Sequence, residues 1–144
     1  MSSFKLKIKK LNPEAKLPSY AHTGDAGLDL FAVEKVVVPA GERATISTGL
    51  AFEIPEGYVG LVWDKSGLAF KRGLTSVSGV LDSGYRGELF LCILNTSRED
   101  YIFAKGDKVA QLLIQPILHT DIEQVEELSD SSRGEGRFGS TGKQ

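Results

Sequence analysis

The residues able to do chemistry in this chain are gathered in five short segments, where glycine stands beside a carboxylate, an amine, an amide or a hydroxyl. In Gly79-Val80-Leu81-Asp82-Ser83-Gly84-Tyr85, Asp82 follows two branched apolar residues and precedes a Ser-Gly turn. Apolar flanks around a turn call for a hairpin with buried sides, so Asp82 is either a solvated turn acid or a carboxylate placed there for a functional reason. Gly24-Asp25-Ala26-Gly27-Leu28-Asp29-Leu30 offers a second acid, Asp29, in what alone reads as an acidic turn entering a strand. Asp64-Lys65-Ser66-Gly67-Leu68-Ala69 joins an amine, a hydroxyl and free backbone N–H groups at a helix start, which suits either an N-cap or an anion cradle. Gly106-Asp107-Lys108-Val109-Ala110-Gln111-Leu112 is a turn feeding an apolar strand, in which Gln111 is the unusual polar member.

The fifth segment runs from Arg133 to Gly142 and sets Phe138 among glycines with Arg133, Arg137, Gly139, Ser140 and Thr141. It is not a Walker A loop, because Ser140 stands where that loop needs lysine and no strand leads in. It reads as a loose tail, or as a lid whose ring stacks on a base while its arginines and hydroxyls reach phosphates.

Elements that must position these residues are mostly strands. Phe4, Leu6 and Ile8 alternate with lysines, and extended stretches are expected at Val36 to Val38, Ala44 to Ile54, Tyr58 to Trp63, Glu88 to Asn95 and Val109 to Ile114. Turns at Pro39-Ala40-Gly41, Pro55-Glu56-Gly57 and Lys105-Gly106-Asp107 separate them, the pattern of an all-β sandwich or barrel. One helix is expected over Ser66 to Arg72, with Ser66 as its N-cap and Gly73 as its stop. Residues 1–128 read as one β domain, and residues 129–144, rich in Ser, Gly and charge, as a flexible C-terminal arm.

Composition removes other chemistries. The chain has 144 residues and a net charge of -2, so it has no general pull on nucleic acid, and an anionic ligand must be held by a local cluster or a metal ion. His22 and His119 lack partners at zinc or triad spacing, and the single Cys92 lies in an apolar run and can form no internal disulfide. No apolar run approaches the roughly 18 residues of a membrane helix, and the chain is expected to be cytoplasmic, with no nucleic-acid or membrane partner.

In order and spacing, the five segments closely resemble the five motifs of the trimeric deoxyuridine triphosphate nucleotidohydrolases, the dUTPases, from about Ala21 to Gly142. The resemblance implies a distorted β jelly roll assembled as a homotrimer, each active site shared among three subunits. It implies hydrolysis of dUTP to dUMP and pyrophosphate by in-line attack of water on the α-phosphorus, which lowers dUTP and supplies dUMP for dTMP synthesis. Asp82 matches the residue that activates water, Gln111 the residue near water and α-phosphate, and Asp29 the acid that holds Mg2+ through its water shell. Lys65, Ser66 and Gly67 match phosphate contacts. Gly79, Val80, Leu81 and Phe90 match the uracil site, and Tyr85 matches the ring that packs on deoxyribose. Arg133 matches a γ-phosphate contact, Phe138 the ring that stacks on uracil, and Gly139, Ser140 and Thr141 the rest of the closing arm. Two residues depart from the family pattern: Lys65 stands where arginine is usual, and Arg137 where glycine is usual. The rival readings are a dCTP deaminase of the same fold, a nucleotide-binding module without turnover, and a capsid-like jelly roll.

Overall fold

The structure, a computed structural model, describes residues 4–139, 141 and 142. Ten strands and one helix are ordered along the chain as β1 (Lys7–Lys10), β2 (Leu28–Phe31), β3 (Val36–Val38), β4 (Arg43–Glu53), β5 (Tyr58–Trp63), α1 (Ser66–Arg72), β6 (Leu74–Ser76), β7 (Val80–Leu81), β8 (Glu88–Asn95), β9 (Tyr101–Phe103) and β10 (Lys108–Pro116). Every pairing is antiparallel. One sheet has the order β1-β4-β8-β6, a second the order β2-β10-β5-β7, and β3 with β9 forms a separate ribbon. This is the all-β arrangement expected from the strand pattern, in the jelly-roll form that the resemblance implies.

The two sheets bury one apolar core between them. Alternate residues of β4 and β8 (Ile46, Leu50, Leu89, Leu91, Ile93) meet Leu30, Val62, Leu81, Ala110 and Leu112 of the other sheet, with Val38 and Phe103 closing one end. Each fully buried aliphatic side chain contributes about 1.5–3 kcal/mol, so this layer fixes the strand registers on which the site depends. Asn95, buried at the end of β8, donates to the carbonyls of Val38 and Glu99 (3.0 and 2.8 Å) and accepts from Ser97 N–H and Oγ.

Two irregularities shape the region around Asp82. The β4–β8 register jumps from Ser47↔Phe90 to Ala51↔Glu88, a bulge whose Gly49 has φ +69°. The Glu88 carboxylate fills it, accepting from Ser47 Oγ and from Gly49 N–H. The second lies between β6 and β7, which belong to different sheets. Ser78 is fastened to β8 through its hydroxyl, which accepts from Cys92 N–H at 2.8 Å, and Gly79 then turns the chain across at φ +79°. No side chain would crowd a Cβ at residue 79, so glycine is needed there for its left-handed backbone rather than for space.

The helix spans the expected residues and ends at left-handed Gly73, but its N-cap is Lys65, not Ser66. The backbone of Lys65 is still extended (φ -86°, ψ 122°) because it continues β5, and Ser66 is therefore already the first helical residue.

Candidate active site

A single row across the second sheet brings three of the five segments together. Gln111 of β10 is paired on one side with Asp29 of β2 and on the other with Trp63 of β5, and Asp64, Lys65 and Ser66 follow directly where β5 gives way to α1. The Gln111 amide donates from Nε2 to the Asp64 carbonyl at 2.7 Å. The Asp64 carboxylate in turn accepts from Thr75 Oγ1 (2.7 Å) and Ser76 N–H (2.6 Å), fastening the start of the helix to β6. No side chain caps the helix and its first turn carries no acid, so the N–H groups around Ser66 and Gly67 have no competing anion there.

Asp29 is only 2 % exposed, and both its oxygens are taken. Lys65 Nζ lies 2.5 Å from Oδ1 and Lys108 Nζ 3.2 Å from Oδ2. Burial by itself raises the Asp29 pKa, but the hydrogen bonds and positive charges of Lys65 and Lys108 outweigh it and hold the carboxyl below its ordinary value. Asp29 is thus an ionised, buried anchor between two lysines. Lys108 and Asp64 stand in two of the five segments, but their contacts to Asp29 and Gln111 could not be read from the sequence.

Gly79, Val80 and Leu81 lie on the outer edge of the same sheet. β7 pairs only with β5, through Gly60↔Leu81 and Leu61↔Val80, and Val62 N–H donates to the Gly79 carbonyl. Antiparallel alternation then turns the Val80 N–H and C=O toward the open edge, a donor and an acceptor of the kind a base edge needs. The Asp82 carbonyl accepts from Tyr85 N–H at 3.2 Å, so the chain turns tightly here. But β7 and β8 lie in different sheets and do not pair, so the turn joins the two layers and is not the hairpin expected from its apolar flanks. Asp82 is exposed, and Tyr85 donates from its hydroxyl to the Glu88 carbonyl at 2.8 Å. Phe90 is exposed on β8.

One chain does not unite all five segments. Asp82 follows the Gly60↔Leu81 row, so it lies about 13 Å along the strand direction from the row of Gln111 and Trp63 at about 3.3 Å per residue. Two clefts open around Trp63: one of about 390 Å³ reaches Asp64, Ser76, Gly79 and Val80, and one of about 440 Å³ reaches Ser66, Phe70 and Gln111. Neither includes Asp82, Tyr85 or Phe90. Every described residue from Leu118 onward is exposed, Phe138 fully so, and Arg133 Nε donates to the Gly136 carbonyl of its own turn. Gly139 and Thr141 share this exposed arm, and Ser140 lies outside the described residues.

The donor set is compatible with a magnesium ion carried by a polyphosphate. Among the described residues no group of three or more His, Cys, Asp or Glu could cage a metal. Mg2+ keeps several waters and is commonly bound by one or two carboxylates together with substrate phosphates, a demand that Asp29 could meet through water once Lys65 or Lys108 moves off its oxygen. No helix of the described residues is long and apolar enough to cross a membrane.

Fold and site together define a jelly-roll protein with a row of polar and charged residues across one sheet. The dUTPase family model matches residues 13–142. The deoxyuridine 5'-triphosphate nucleotidohydrolase of Clostridioides difficile is 47% identical over 141 residues, 96% of this chain and 99% of the relative, and that of Nautilia profundicola is 50% identical over the same shares. The Staphylococcus bacteriophage 80alpha dUTPase with dUPNHPP superimposes with a TM-score of 0.91 at 36% identity, covering 97% of this chain and 99% of that one. The chain belongs to the dUTPase family. A variant of the dUTPase from phage phi11 of S. aureus, which coordinates a structural Mg(II) ion, covers 86% of this chain and 98% of its own, with a TM-score of 0.80 and 35% identity.

Proposed function

We propose that this chain hydrolyses dUTP to dUMP and pyrophosphate, acting as a homotrimer in the cytoplasm with the arm, residues 129–144, completing each site. The observation that carries the reading is the shared row of Asp29, Gln111 and the Trp63–Ser66 corner, in a chain that supplies Asp82 elsewhere. An outward apolar face supports assembly: Trp63 is 56% and Val80 60% exposed, with Val77 and Phe70 beside them. Covering such a face with neighbouring copies would bring the Asp82 turn of one subunit to the row of another.

In this reading the Asp82 carboxylate takes a proton from the attacking water, and Gln111, oriented by the Asp64 carbonyl, donates to the α-phosphate or the water. Positioned acid–base groups of this kind contribute roughly 10² to 10⁴ in rate. Lys65 turns from Asp29 toward the phosphates, joining the Ser66 hydroxyl and the N–H groups of Ser66 and Gly67. That movement would free Asp29 Oδ1 for a metal-bound water, while Lys108 continues to balance the carboxylate. Magnesium, when bound, offsets phosphate charge and contributes several kcal/mol as a Lewis acid. Lysine at position 65 gives a point charge in place of a bidentate fork, which weakens geometric grip but makes the movement easier.

The open edge at Val80, with Gly79, Leu81 and Phe90 around it, reads uracil. Tyr85 packs against deoxyribose, Arg133 reaches the γ-phosphate, Phe138 stacks on the base, and Gly139, Ser140 and Thr141 close over the phosphates. Pyrophosphate release measured from dUTP, UTP, dTTP and dCTP tests this. Release from dUTP alone is expected; none from dUTP, or equal release from UTP, would overturn it, and ammonia from dCTP would point to a deaminase.

A further inference from the structure

Tyr85 is held in its pose by two neighbours, and the one with no side chain sets the tighter limit. The ring folds back over Gly87, so that a Cβ on residue 87 would stand 2.5 Å from the tyrosine Oη, 2.7 Å from Cζ and 3.0 Å from Cε1. Those distances are overlaps, not contacts. Gly87 is not among the glycines with a positive φ, and the three atoms nearest such a Cβ all belong to Tyr85, so the tyrosine side chain is what alanine meets first. The second neighbour is Glu88, whose carbonyl accepts the Tyr85 hydroxyl at 2.8 Å and whose carboxylate is tied into the β4 bulge through Ser47 and Gly49. At 45% exposure the ring gains little from burial, so these two restraints are what keep it in one place.

We infer that Gly87 is a specificity-determining position for the sugar. It supplies the space into which the Tyr85 ring folds, and the Glu88 carbonyl locks the ring there, at the distance that admits a 2′-hydrogen and refuses a 2′-hydroxyl. This rests on the reading that Tyr85 packs against deoxyribose. An apolar surface that can yield rejects an added hydroxyl by only about 10², so discrimination depends on the ring being unable to move. A methyl group at residue 87 lifts the ring off its seat and breaks the hydroxyl–carbonyl bond together.

The test compares kcat/KM for dUTP and UTP in wild type, Gly87→Ala, Tyr85→Phe, Tyr85→Ala and the double variant Gly87→Ala with Tyr85→Phe, with circular dichroism to verify folding. Gly87→Ala is expected to lower the dUTP-to-UTP ratio about tenfold, chiefly through KM, as a displaced ring opens the sugar pocket. Its effect should be smaller in the Tyr85→Phe background, where the Oη overlap and the bond to Glu88 are already gone. If Tyr85→Ala collapses the ratio while Gly87→Ala leaves it unchanged, the inference is overturned and the sugar reading stands. If Tyr85→Ala itself leaves the ratio unchanged, the sugar reading falls and takes the inference with it. Should Gly87→Ala fail to fold, Tyr85→Phe alone decides: a ratio lowered severalfold supports the lock, and an unchanged ratio overturns it.

Discussion

Gln111 lies over Gly27 so closely that a Cβ on residue 27 would stand 2.1 Å from its Oε1 and 2.8 Å from its Cδ. The glycine is a mould for the amide. With the space above Gly27 filled by its own oxygen, Gln111 can turn only its Nε2 to the Asp64 carbonyl, and the amide is oriented before any ligand arrives.

Gly27→Ala should therefore imitate a Gln111 variant without touching Gln111. Displacing the amide by about an ångström is expected to lower kcat by up to about 10²-fold, and the change should add little to Gln111→Ala. Steady-state kinetics on the two single variants and the double variant would check this; fully additive losses would show that the two residues act apart.

Asp82→Asn should bind a non-hydrolysable dUTP analogue with near-normal affinity in calorimetry and turn dUTP over at least ~10²-fold more slowly. Because Asp82 and Gln111 stand rows apart within one chain, mixed assembly of Asp82→Asn with Gln111→Ala subunits should recover activity that neither has alone. With random mixing at equal amounts, about a quarter of the shared sites would receive an intact Asp82 from one subunit and an intact Gln111 from its neighbour, for a head-to-tail cyclic assembly. No recovery after co-refolding would argue for a site within one chain.

The buried Asp29 makes part of the stability depend on pH. Its folded pKa is lowered from an ordinary 3.8, so its contribution is present above that value and is lost as pH falls through the lower folded one. Asp29→Asn is expected to cost about 2 kcal/mol at pH 7, since charged hydrogen bonds to a buried acid are lost. Urea unfolding from pH 7 down to pH 2 would show the gap between the two proteins staying constant to about pH 4 and narrowing below. A gap that does not change with pH would mean that the two lysines do not hold the carboxylate.

Removal of residues 133–144 should leave the thermal midpoint within about 2 °C of the full chain, because the described residues of this segment are all exposed and add little to folding stability. Activity toward dUTP should fall sharply, mostly in kcat, because closure over the phosphates is lost. Differential scanning calorimetry with kinetics separates the two effects. A large drop in midpoint would instead make the arm part of the folded body.

The elements that sequence alone revealed are the long strands, together with β3 through its run of three valines and β1 through its alternation with lysine. β4, β5, β8 and β10 have enough residues for alternation to be visible, and the limits of α1 were set by the turn chemistry of Gly73. β2, β6, β7 and β9 have four residues or fewer and lack the flanking alternation of β1 or the valine run of β3, so their pairing is decided by tertiary packing. Ser66 has the right chemistry for a cap, yet the extended β5 backbone continues through Lys65 and moves the cap one residue back. The lysine pair on Asp29 was not legible either, because Lys65 and Lys108 reach it across 36 and 79 positions of sequence, through strand register alone.

The passage of the chain from one sheet to the other at Gly79 has a consequence for fidelity. The turn assigned to substrate choice has β7 in one sheet and β8 in the other, so its shape is a reading of how the two layers sit on each other. Core substitutions far from any ligand, if they let the layers slide, would blur substrate choice before they unfolded the protein. Mutational tolerance in this chain is then bounded by accuracy as well as by survival of the fold.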